Sequence, residues 1–134
     1  MTTTCRKIGT PPDVHGTCQW VTPNPSACFA AGVPAGCRIV SETSKGDVET
    51  FYMIHPTFDE KGRLESVLLA KEGERGFTEE RYMVDCSFGP HYGHFTCTCL
   101  DWRNRGQRRT VPHCKHSKSV WHLFKKLGYI KENA

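Results

Sequence analysis

Two thiols separated by one residue, Cys97 and Cys99, are followed after fourteen intervening residues by a thiol and an imidazole separated by one residue, Cys114 and His116. No other feature of this 134-residue chain restricts its folding as much. In an extended strand, residues i and i+2 project to one face, so Cys97 and Cys99 can present two sulfurs to one point. On a regular helix i and i+2 lie roughly 200° apart. Cys114 and His116 therefore meet that point only if Cys114 sits at the irregular start of a helix and His116 in its first turn. A helix start also favours thiolate over thiol, the form that binds a metal ion. Four ligands of this kind close a tetrahedral zinc site, with no position left for water or substrate. The spacing predicts one structural Zn2+ and no metal catalysis. His113, three residues before His116, is an alternative ligand if the helix begins earlier.

The rest of the chain predicts a small α+β domain, a mainly antiparallel sheet with a β-hairpin and a C-terminal helix. Residues 1–36 hold Pro11, Pro12, Pro23, Pro25 and Pro34 and read as a loop-rich arm, flexible or pinned onto the single domain at 37–134. Short strands are expected at 38–42, 48–55, 64–71, 81–87 and 94–98, separated by turn clusters such as Ser44-Lys45-Gly46-Asp47. Phe51 and Met53 share one face of the second strand and Tyr52 and Ile54 the other. Neither face is polar, as expected of a central or doubly covered strand. A helix is predicted from about 112 to 127, with Val120, Leu123, Phe124 and Leu127 in one stripe, Pro112 opening it and Gly128 just past its end. A chain of this length supports one core, to which a metal staple is a reasonable supplement.

Charge is unevenly distributed. Residues 97–134 carry nine Lys/Arg against Asp101 and Glu132, whereas residues 1–96 carry nine against twelve Asp/Glu. Arg103, Arg105, Arg108 and Arg109 crowd the spacer between the ligand pairs, and Lys115, Lys118, Lys125 and Lys126 follow on the helix. Basic clusters of this kind suit the phosphates of DNA or RNA, or else form a solvated face.

The eight cysteines point to metal before disulfides, because no apolar stretch resembles a secretory signal and an intracellular chain, cytoplasmic or nuclear, keeps its thiols reduced. No run approaches the length of a membrane span. Cys5, His15, Cys18, Cys28 and Cys37 offer a second zinc site in the arm, against scattered buried or free thiols; Cys86 reads as a small core residue. No Ser/His/Asp order, phosphate-cradling glycine loop or paired-carboxylate motif is present, so no enzyme is expected.

The stretch Phe95-Thr-Cys-Thr-Cys-Leu-Asp-Trp102, continued by Val111-Pro-His-Cys-Lys-His-Ser117 and an amphipathic helix, resembles the SWIM-type zinc finger, over about residues 81–127. The resemblance implies zinc on Cys97, Cys99, Cys114 and His116 rather than His113, and Trp102 packed against the finger's helix. It also implies DNA-binding or protein-interaction roles. The larger catalytic and adaptor domains that accompany such fingers have no room here. The expectation is a non-enzymatic module contacting nucleic acid through the Arg-rich spacer and helix; the alternative is a protein–protein adaptor whose zinc is purely structural.

Overall fold

A computed structural model of the chain describes residues 16–73 and 76–130. Six antiparallel strands follow one another in space in the order of the chain: β1 (Gly16–Trp20), β2 (Ala35–Thr43), β3 (Gly46–Phe58), β4 (Leu64–Gly73), β5 (Gly76–Asp85) and β6 (Thr96–Cys97). Helix α1 (Pro25–Ala30) joins β1 to β2, α2 (Leu100–Asn104) follows β6, and α3 (Lys115–Lys126) ends the described chain. This is the α+β domain with a C-terminal helix that the sequence predicts.

The meander is built from tight hairpins. Thr43 pairs with Gly46 across a two-residue turn, and Gly46 takes a φ of 112°, a conformation in which a Cβ would be strained. β3 is central, paired on both sides. Its last residues run past the end of β2, which stops at Ala35 opposite Ile54. Pro56 therefore has a neighbouring strand on one side only, where a residue without an N–H is tolerated.

One sheet face is apolar and carries α3. Cys37, Ile39, Tyr52, Ile54, Val67, Leu69 and Val84 are buried together with Val120, Trp121, Leu123 and Phe124 of the helix. Phe51 and Met83 point the other way and remain partly exposed. At the far end of α3, Trp20, Phe29, Phe124 and Tyr129 pack ring against ring, and Trp20 donates its indole N–H to the Leu123 carbonyl at 3.0 Å.

The N-terminal arm contains more regular structure than its prolines suggest. β1 extends the sheet at its edge against β2. Pro25 opens α1 rather than breaking it, because the first helical position has no use for an N–H, and the Asn24 side chain caps that helix. The predicted start of α3 at Pro112 needs the opposite correction. The helix begins at Lys115, with Pro112 and His113 in the approach and Cys114 as the N-cap. Its C-terminus is as expected: Gly128 follows with a φ of 89°. The strand expected at 94–98 shrinks to two residues, since His94 lies in a 3-10 turn with Tyr92 and Gly93.

Candidate metal centre

Short irregular elements bring the four sequence-predicted ligands to one place. Cys97 ends β6 opposite Val84. Thr98 turns away onto β5, exchanging hydrogen bonds with the Met83 backbone through both its amide and its hydroxyl. That contact keeps Cys97 and Cys99 on one side of the chain, the i/i+2 geometry the spacing demands. Cys99 is extended and serves as N-cap of α2; Cys114 is extended and serves as N-cap of α3, with His116 in the first turn. Each helix donates an amide to the sulfur that caps it, Trp102 N–H to Cys99 at 3.3 Å and Ser117 N–H to Cys114 at 3.4 Å. These bonds favour the thiolate.

The spacer is not an open loop. It folds as α2 and a 3-10 turn at Gly106–Arg108, then doubles back to Cys114. Gly106 lies so close to the His113 backbone that a Cβ there would fall 2.5 Å from its carbonyl oxygen. Arg109 closes the same fold, reaching both oxygens of Asp101 at 3.1 and 3.3 Å and the His113 carbonyl at 2.6 Å. Arg105 shares the Asp101 carboxylate at 3.0 Å. The spacer thus fixes where Cys114 arrives.

The ligand atoms of Cys97, Cys99, Cys114 and His116 all lie within 4.8 Å of one another, and all four residues are buried. Bonds of about 2.3 Å to sulfur and 2.0–2.1 Å to nitrogen set tetrahedral ligand atoms roughly 3.5–3.8 Å apart. Cys97 Sγ and His116 Nδ1, at 3.8 Å, already match. Three converging thiols and an imidazole fit one metal ion, which would replace the protons the thiols otherwise share. Hydrogen bonds from Cys114 and Cys97 hold Cys99 far below the usual thiol range, whereas bonding to Cys114 and Cys99, and burial, push Cys97 up.

Two tyrosines that no sequence pattern singles out complete the centre. His116 turns Nδ1 to the sulfurs and Nε2 to the Tyr52 hydroxyl, 3.1 Å away. A metal on Nδ1 would leave the proton on Nε2, whose N–H would donate to the Tyr52 hydroxyl and so fix the ring. Burial, then the neighbouring Tyr82 and Cys37, raises the Tyr52 phenol above its ordinary range, so it stays neutral. Tyr82 stacks on the imidazole at 4.3 Å and donates its hydroxyl to Glu80 at 3.0 Å. Burial and that bond push the Tyr82 phenol up to about 12. Both tyrosines reach the site across the sheet, which local spacing does not encode.

His113 is not part of the cluster; its Nδ1 lies 2.7 Å from the Val111 carbonyl. Cys18, Cys28 and Cys37 form no second metal-competent group among the described residues, and Cys5 and His15 lie outside them. Trp102 and Cys86 are buried in the core. Of the basic residues, Arg103, Arg108 and Lys115 are exposed, Arg105 is exposed but paired with Asp101, and Arg109 is engaged as above. Lys118 is only 9% exposed. No described helix is long and apolar enough to cross a membrane.

No protein-family model, curated protein or solved structure significantly matches this chain.

Proposed function

We propose that this chain is a non-enzymatic zinc-binding module of the SWIM type, which contacts DNA or RNA with the basic side chains grouped around its metal centre. The observation that carries this reading is the buried Cys3His cluster. Its soft sulfur-rich donor set suits zinc, and four protein ligands fill the tetrahedron that a catalytic zinc would leave open. Much of the positive charge of residues 97–126 lies in the spacer and the first turn of α3, with Arg103, Arg105, Arg108 and Lys115 exposed. Phosphates are the natural counterpart of such a surface.

Metal analysis of the purified protein is expected to return about one zinc, by the ligand count of a closed site. Cobalt substitution is expected to give a tetrahedral spectrum that azide leaves unchanged; a spectral shift would reveal an open position and refute the structural role. Protein purified without nuclease is expected to carry nucleic acid that salt removes. A stoichiometric protein partner that survives nuclease, with no nucleic acid bound, would replace this reading with the adaptor.

A further inference from the structure

Beside the metal centre, a groove of about 860 Å³ separates the first turns of α3 from the open end of the sheet. Five lysines and arginines line it against two carboxylates. Both carboxylates are already engaged, Glu80 with Lys71 and the Tyr82 hydroxyl, Asp101 with Arg105 and Arg109. At the rim stands Leu100, 68% exposed although it opens a helix whose neighbouring residues are polar or buried. Of these cations Lys115 is exposed and Arg105, though paired with Asp101, keeps 75% of its side chain exposed; beside the apolar Leu100 they offer contacts for phosphates and for the face of a base.

The shape favours unpaired nucleic acid. Reading the base edges of a duplex requires an element that protrudes into a groove about 12 Å wide. Helix α3, the obvious candidate, lies in the core: residues 116–121, 123 and 124 are buried, which leaves no free face to insert. The groove, about 860 Å³, gives room for a short stretch of one strand. We propose that this groove holds a single unpaired strand of nucleic acid, with phosphates on Arg105 and Lys115 and a base against Leu100. The proposal rests on the nucleic-acid reading above and narrows it to unpaired strands.

The test compares zinc-loaded full-length protein binding to oligothymidylate and oligouridylate of about twelve nucleotides and to a mixed-sequence duplex, lengths in the range of single-strand modules. Single strands are expected to bind at least tenfold more tightly than duplex; the two probes separate DNA from RNA. The double variant Arg105→Ala/Lys115→Ala is expected to weaken single-strand binding tenfold or more and flatten the salt slope by about 1.4, at about 0.7 per phosphate contact. Leu100→Ala is expected to weaken it severalfold with the slope unchanged. Lys125→Ala/Lys126→Ala removes the same charge at the other end of α3 and is expected to change affinity less than twofold. Equal losses from the two lysine-containing pairs, or duplex held as tightly as single strands, would overturn the groove while leaving nucleic-acid binding intact. If no probe binds even at low salt, the nucleic-acid reading fails and the groove proposal with it.

Discussion

The sheet from β2 to β5 and the segment from Phe95 to Cys114 are neighbours held together by different means. The four strands pair through long ladders, nine residues between β2 and β3 alone, and bury alternate side chains against α3. The segment has a two-residue strand, a five-residue helix and a 3-10 turn, none long enough to stand by itself. What fixes it are side chains: three cysteines, a histidine, the Arg109–Asp101 fork and the close approach of Gly106 to His113. A sheet can tolerate the loss of one contact because its backbone bonds remain, whereas a segment held by few side-chain bonds has little in reserve.

Metal removal should expose this contrast most sharply. Structural zinc sites supply on the order of 10–16 kcal/mol of apparent binding free energy to folding. Chelation, or Cys99→Ser, is expected to abolish hydrogen-exchange protection in residues 95–130, ahead of the β2–β4 amides, and to destroy the cooperative melt. A zinc-free Cys99→Ser protein with a cooperative melt and a protected α3 would break the comparison.

Phe124→Ala acts away from the metal-bearing segment, at the far end of α3, where this side chain is fully buried among Trp20, Phe29 and Tyr129. A loss of about 3–5 kcal/mol is expected from urea unfolding, with zinc content unchanged. Gly106→Ala should cost less, about 1–3 kcal/mol, because the added methyl meets a backbone carbonyl that the spacer, closed by the Arg109–Asp101 fork, cannot easily withdraw. The same substitution at Gly32, where a Cβ meets nothing within 4 Å, leaves only its local φ strain and is the control for overpacking. If both variants melt alike, the spacer is not pinned as described.

Tyr52→Phe should give the smallest effect and the most specific one. It removes the hydroxyl that meets His116 Nε2 from the sheet side, joining the two regions by one hydrogen bond. Zinc affinity, measured by competition with a chromophoric chelator, is expected to fall about tenfold, the low end for loss of a group that orients a ligand. Unchanged affinity would mean that the sheet does not help to aim the histidine.

The pairs Cys97/Cys99 and Cys114/His116 are legible in the sequence because strand and helix-start geometry are local: two residues apart is a statement about direction that needs no knowledge of the fold. The strands and the apolar stripe of α3 are legible for the same reason, as short-period patterns. The sequence does not resolve β1 and α1, where proline reads as a breaker although it opens a helix; at α3 the proline signal at 112 misleads, whereas the ligand geometry that puts Cys114 at the helix start holds. Tyr52 meeting His116, Gly106 against His113 and the fork of Arg109 on Asp101 were decided only in three dimensions. Each depends on the path of a turn or on the packing of α3 against the sheet, and such a contact leaves no periodic trace in the chain. The sequence by itself determined which atoms can bind a metal; the tertiary structure decided which side chains aim them and which arginines stay exposed.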